Sequence, residues 1–219
     1  MRLEPLGDQA VLATCVDENA ASVFARALRL ASPVWCIDVV QAYVSVAVYY
    51  DGATTDFTKA AAFIAAEFTH ASHATTNAGK LITIPCCYEL GLDFERVTKQ
   101  TRLSREQIIT LHCGTIYTVY AIGFCPGFPY LGYLPAELAG VPRLDSPRLR
   151  VEAGSIGMTG RQTGIYTEVR PGGWNIIGRT PLTLVDVAGD YFPLETGDRV
   201  QFVAIGRAEF EERLGRRLE

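Results

Sequence analysis

Five side chains between His112 and Tyr166 are of types that handle a small anion. His112, the only histidine in the second half of the chain, exchanges a proton near neutral pH in its ordinary state. Arg143 and Arg148 carry planar guanidinium forks that can grip a carboxylate or a phosphate with two prongs. Gln162 and Tyr166 add neutral hydrogen-bonding groups, and glycines around them, among them Gly154, Gly157, Gly164 and Gly172, let backbone approach a ligand. The set reads as one proton-transfer group, His112, and a substrate-binding group of Arg143, Arg148, Gln162 and Tyr166. Each has a structural explanation too: His112 as a satisfied buried histidine at a helix end, the arginines as ion-pair partners. Phe124, Phe128, Tyr130 and Trp174 flank Pro-Gly turns and are expected to staple loops onto the fold rather than stack on a ligand.

Other chemistries are excluded by what the chain lacks. There is no GxxxxGK[ST] phosphate loop, no GxSxG elbow, no HExxH and no CxxC pair, which argues against an independent ATPase or a zinc hydrolase. The six cysteines lack zinc-ligand spacing and read as reduced, mostly buried thiols. His70 and His73 sit three residues apart, but no third ligand lies nearby, so they are expected to serve the C-terminal end of a helix dipole; no metal site is expected. With 219 residues, 48% hydrophobic, 20% charged and a net charge of -4, the composition is that of an ordinary globular chain without a nucleic-acid footprint. No apolar run reaches membrane-spanning length and the N-terminus lacks a secretory h-region, so a cytoplasmic protein is expected.

The elements that position these residues fall into two groups. LGDQAVLATC reads as a turn at Gly7-Asp8 and a strand. A helix follows, capped by Asp17 or Asn19, with Val23, Ala27 and Leu30 on one face. VWCIDVVQAYVSVAVYY supplies two strands, and DFTKAAAFIAAEFTHA a second helix with Phe57, Ala61, Ile64 and Phe68 inward. Strand, helix, two strands and helix make most of a ferredoxin-like split βαβ unit, which KLITIP would complete. The polar stretch Thr69 to Gly79 reads as a hinge between domains 1–80 and 81–219. LDFERVTKQTRLSREQIITLHCG is helical, with a start signal at Ser104 followed by Glu106 and Gln107. From Tyr117 onward, short apolar segments such as YTVYAIGF, NIIGRTPLTLVDV and RVQFVAI alternate with turns, the pattern of a closed or nearly closed β-barrel.

The strings GFCPGFPYLG, PRLRVEAGSIG, QTGIY and PGGWNIIGRTP, together with LGDQAVL near the start, resemble the family of the 5-oxoprolinase B subunit, also called allophanate hydrolase subunit 1 or the kinase inhibitor KipI. The resemblance implies an α+β chain with an N-terminal ferredoxin-like domain followed by a C-terminal cyclophilin-like β-barrel. It further implies a chain inactive alone that works with two partners, a homologous C subunit plus a lactam-binding A subunit, to open 5-oxoproline to glutamate. ATP, and Mg with it, would be bound at a site shared with those partners. Two alternatives accompany the resemblance: inhibition of a sensor histidine kinase through a barrel surface, and a carboxyltransferase-type role in a urea carboxylase-like system. Glu152 and Arg161 depart from the family pattern and are of types that could pair with each other.

Overall fold

The computed structural model describes residues 1–71 and 79–218, and the chain divides into two compact units, Met1–Ala78 and Gly79–Glu219. In the first unit the order is β1 (Arg2–Pro5), β2 (Ala10–Thr14), α1 (Glu18–Ala31), β3 (Cys36–Ala42), β4 (Ser45–Tyr50) and α2 (Phe57–Ala71). The strands pair antiparallel in the order β1-β2-β4-β3, so β1, not KLITIP, is the added strand of this sheet. Asp17 caps α1, its Oδ1 accepting the Ala20 amide at 2.7 Å. The face that α1 buries is Ala21, Phe24, Ala25 and Leu28, whereas Leu30 is 76% exposed. The apolar stripe is thus rotated from the expected one: the i, i+3, i+4, i+7 run from Ala21 is the one that meets the sheet. Phe24 of α1 meets Phe68 of α2 edge to face at 5.2 Å, and Ile64 and Ala60 complete that core.

The expected hinge falls mostly on 72–78, which with His73 lies outside the described residues; Thr69 and His70 belong to the last turns of α2. His70 is exposed and lies 3.7 Å from Glu67.

The second unit opens with β5 (Leu81–Cys86), then α3 (Phe94–Thr101) and α4 (Arg105–Gly114). The capping box at Ser104 forms as the sequence indicates: the Gln107 amide donates to Ser104 Oγ at 3.2 Å and the Ser104 amide to Gln107 Oε1 at 2.8 Å. Strands β6 (Ile116–Ile122), β7 (Pro129–Gly132), β8 (Arg148–Val151), β9 (Ser155–Thr159), β10 (Gln162–Ile165), β11 (Arg170–Gly172), β12 (Asn175–Arg179) and β13 (Arg199–Ala204) follow, and α5 (Arg207–Arg213) comes last. KLITIP, as β5, pairs parallel with β13 over Leu81 to Cys86. Its inward residues Ile84 and Cys86 are fully buried in the core of this unit, which is why it joins this sheet and not the first.

The ladder runs β5-β13-β6-β7-β10-β9-β12, antiparallel at every step but the first, with β8 and β11 forming a separate two-stranded ribbon. The two ends of that path do not form a continuous ladder that closes a barrel; they meet at a single isolated bridge between Cys87 and Arg179. The fold is therefore mixed α/β with a large, mostly antiparallel sheet. No helix among the described residues is long and apolar enough to cross a membrane.

Candidate functional site

Strand β10 sorts the candidate residues. Successive side chains of a strand point to opposite faces, so Thr163 and Ile165 face one way while Gln162 and Gly164 face the other. Thr163 stands opposite Leu131 and Met158, which with Ile165 belong to the main apolar core. Gly164 stands opposite Tyr130 and Gly157 and belongs to the other side, where Phe128, Tyr130, Val151, Tyr166, Trp174 and Ile176 form a separate aromatic cluster.

His112 is on the core side. It is 0% exposed, packed against Phe202 at 4.5 Å and Tyr117 at 5.3 Å. Its two ring nitrogens are both engaged, and the partners fix the tautomer. Thr163 spends its hydroxyl hydrogen on the Gly157 carbonyl at 2.9 Å, so its oxygen must accept from His112 Nε2–H at 3.1 Å. Nδ1 then carries no hydrogen and accepts the Tyr88 hydroxyl at 2.6 Å. Tyr88 Oη is also 3.3 Å from Cys113 Sγ. Burial alone pushes the His112 pKa down to about 3, and it pushes the Tyr88 phenol upward. Both groups stay neutral at physiological pH. Of the two readings open for His112, the geometry corrects the proton-transfer one: an enclosed, fully bonded neutral imidazole has no substrate to reach.

The other four residues lie away from that core. Tyr166 is buried at the end of β10, and Gln162 is half-buried on the Gly164 face of the strand. Gly164 is a true requirement here, because an added Cβ would sit 3.0 Å from both Phe128 Cζ and Trp174 Cζ3 and 2.8 Å from the Pro129 carbonyl oxygen. Gly172 is equally constrained, its α-carbon facing the Tyr166 ring and hydroxyl. Trp174 meets Phe128 at 5.5 Å and Tyr130 at 5.8 Å, both edge to face. Phe124 differs from its neighbours: it is 59% exposed, though its ring still packs on Phe128 at 5.4 Å.

Arg148 is not free for a ligand. Its Nη2 donates to Asp93 Oδ1 at 2.6 Å, and Asp93 Oδ2 accepts the Ile176 amide at 2.7 Å. Nη1 is buried and without a hydrogen-bond partner. Asp93, just ahead of α3, thereby ties that helix, β8 and β12 together. Beside it Arg96 donates from Nε to Asn175 Oδ1 at 3.1 Å and from Nη2 to the Arg143 carbonyl at 3.2 Å. Asn175, wholly buried, donates its amide hydrogens to Pro142 O at 2.9 Å and Met158 O at 3.1 Å. The Leu144 amide bonds to Gly173 O at 2.8 Å. The backbone on either side of Arg143 is thus bolted to β12 and the turn before it, while the Arg143 side chain is exposed. Burial raises the Tyr166 and Tyr130 pKa values, and the Arg143 charge pulls both back.

The structure therefore gathers Arg143, Arg148 and Tyr166 and keeps Gln162 on the same side of β10 as the aromatic cluster, but it separates His112 from them. Sequence reasoning did not single out Asp93, Arg96 or Asn175, and it assigned Tyr130 to packing. The one signal for them was Asp93 ahead of an amphipathic helix, a pattern shared by many caps. The expected Glu152–Arg161 pair does not form: Glu152 bonds to Arg150 Nε at 2.6 Å, two residues away, and Arg161 lies over the Tyr133 ring at 4.3 Å.

Fold and sequence place the chain in a class. The family model described as carboxyltransferase domain, subdomain C and D, matches residues 1–192, and the chain belongs to that family. More specifically, it is 43% identical over 134 residues to the 5-oxoprolinase B subunit of Bacillus subtilis (strain 168), covering 60% of this chain and 55% of that protein. It is 45% identical over 135 residues to the 5-oxoprolinase B subunit of Escherichia coli O157:H7, covering 60% of this chain and 62% of that one. The chain thus spans somewhat over half the length of these curated relatives. Among solved structures, a conserved uncharacterized protein from Pyrococcus horikoshii is 36% identical with a TM-score of 0.57, covering 95% of this chain and 100% of that one. The urea carboxylase of Kluyveromyces lactis shares the fold at 17% identity and a TM-score of 0.75, covering 96% of this chain and 22% of that one.

Proposed function

We propose that this chain is the B subunit of a 5-oxoprolinase complex, a cytoplasmic lactam hydrolase component without activity of its own. The observation that carries the reading is the identity of 43% and 45% to relatives of that name, each over 60% of this chain. In this reading the two units correspond to a ferredoxin-like domain, 1–80, and a cyclophilin-like domain, 81–219. The face bearing Arg143, Tyr130, Tyr166 and Gln162 contacts the substrate. Arg148 is a positioning residue held by Asp93, and His112 is structural.

The residues present do not suit a nucleotide with its metal. Among the described residues no three His, Cys, Asp or Glu side chains converge on one point, and the Arg148 charge is already matched by Asp93. ATP and Mg therefore belong to the partner A and C subunits or to a site completed by them, and no step is assigned here through either. The test is reconstitution. The chain alone should show no 5-oxoproline-dependent ATP hydrolysis, and turnover should appear on adding the A and C subunits. Turnover by the chain alone, or none by the three together, would overturn the proposal. The family description and the fold of urea carboxylase favour a second reading, carboxyl transfer. It would be supported by transfer from a carboxylated biotin carrier in place of lactam opening.

A further inference from the structure

We infer that the notch between the Tyr88–Leu90 turn, α4 and the end of β13 binds a free α-amino acid with an aliphatic side chain, its carboxylate on Arg105 and its ammonium on Glu89. The cavity there is about 390 Å³, at the small end for a ligand site, and is lined by Tyr88, Glu89, Arg105, Ile109, Ala204 and Ile205. None of these residues belongs to the face assigned to the substrate under the proposed function. Each wall is held by bonds that leave the charged groups available. Tyr88 is anchored at both ends, its hydroxyl donating to His112 Nδ1 at 2.6 Å and its carbonyl accepting Arg105 Nη2 at 2.7 Å. The Leu90 amide bonds back to Cys87 O at 3.3 Å, so Glu89 rides on a turn fixed on either side of it.

The Arg105 guanidinium lies over the Phe94 ring at 4.2 Å, which together with the Tyr88 bond immobilises it before any ligand arrives. Ile109 follows Arg105 by one helical turn and shares its face of α4. The Ile205 amide donates to Cys86 O at 3.0 Å, which fixes the end of β13. The ligand class follows from charge. Arg105 and Glu89 line one cavity, yet among the described residues they form no ion pair with each other or with any other side chain. Glu106, next in the chain, does not line the cavity. A simple anion on Arg105 would meet the Glu89 carboxylate, and a simple cation on Glu89 would meet the guanidinium. A zwitterion satisfies both at once. The rest of the lining, Ile109, Ala204 and Ile205, is apolar and suits one aliphatic side chain. A peptide separates its two charged ends by more than one residue, so the free amino acid is the better match.

The test is calorimetric titration of the full chain with L-leucine and L-valine, against isocaproate, which lacks the ammonium of leucine, and isoamylamine, which lacks its carboxylate. Both amino acids should bind saturably, and each analogue should be about tenfold weaker than L-leucine or more. Glu89→Gln removes an exposed charge that has no bonded partner, so it should melt as the parent does while weakening L-leucine about tenfold. Arg105→Gln should weaken it by a similar factor, and Arg105→Lys should recover part because the charge returns without the fork. Glu106→Gln, which also removes one charge from the start of α4, should leave binding unchanged. Absence of saturable binding by both amino acids, binding of either analogue as tight as that of L-leucine, unchanged affinity in Glu89→Gln, or an equal loss in Glu106→Gln would each overturn the inference. Because binding is read on the chain alone, these outcomes are separate from the reconstituted turnover that tests the proposed function.

Discussion

The enclosed histidine makes a prediction that involves no catalysis. The His112 pKa is lowered from 6.5 to about 3 by burial, so at any pH between those values the unfolded chain binds a proton that the folded chain refuses. Stability contributed by the neutral imidazole is fully present above about pH 6.5 and is lost as pH falls toward the folded pKa. One proton corresponds to about 1.4 kcal/mol per pH unit, so lowering pH from about 6.5 to about 5 should remove roughly 2 kcal/mol. The carboxylates Asp56, Glu106 and Glu152 have pKa values shifted downward, and their titration falls below that window. The assay is urea unfolding at about pH 7 and about pH 5, followed by Trp174 fluorescence in a Trp35→Phe background so that only the second unit is read. In His112→Gln the dependence should flatten, while stability at about pH 7 drops by roughly 1–3 kcal/mol through the imperfectly replaced bonds to Tyr88 and Thr163. Equal losses between the two pH values in parent and variant would refute the reasoning, since the titrating group would then lie elsewhere.

Other expectations follow from the same contacts. Asp93→Asn should cost about 2–4 kcal/mol in urea unfolding, because it leaves the partly buried Arg148 guanidinium without its counter-charge; added Arg148→Met should recover much of that loss. Gly164→Ala should cost about 1–3 kcal/mol and shift the Trp174 emission, since the new methyl must displace Phe128 and Trp174. Ser104→Ala should cost about 1 kcal/mol in urea unfolding by opening the capping box of α4.

Much of the secondary structure was legible because it rests on local rules. Asp17, Ser104 and the β-branched runs of β3, β4 and β6 behave as their types dictate. What escaped were pairings decided at a distance. KLITIP carries an ordinary strand pattern, and nothing local says whether its partner is the first sheet or β13, more than a hundred residues later. The α1 stripe was misplaced because an alanine-rich helix offers two overlapping apolar rows, and only the large Phe24 and Leu28 side chains decide between them. Among the candidate residues, type showed which side chains carry charge or hydrogen-bonding groups, but not which were already spoken for. Arg148 and Arg143 look alike in the sequence. One is bound to Asp93, 55 residues earlier, and the other is left open. For His112 the deciding facts were Thr163 and Tyr88, neither of them near it in the chain.

The alternation along β10 also bears on how this protein can change. Thr163 and Ile165 answer to the volume and bonding of a sealed interior, whereas Gln162 and Tyr130 lie on the opposite side of the sheet, half-buried. Substitutions on the two sides share no partners and should combine nearly independently, provided the glycines between them stay small. The outer positions therefore form a set that selection, natural or in the laboratory, could rewrite without renegotiating the interior, and the strand that divides the two sides is what grants that freedom.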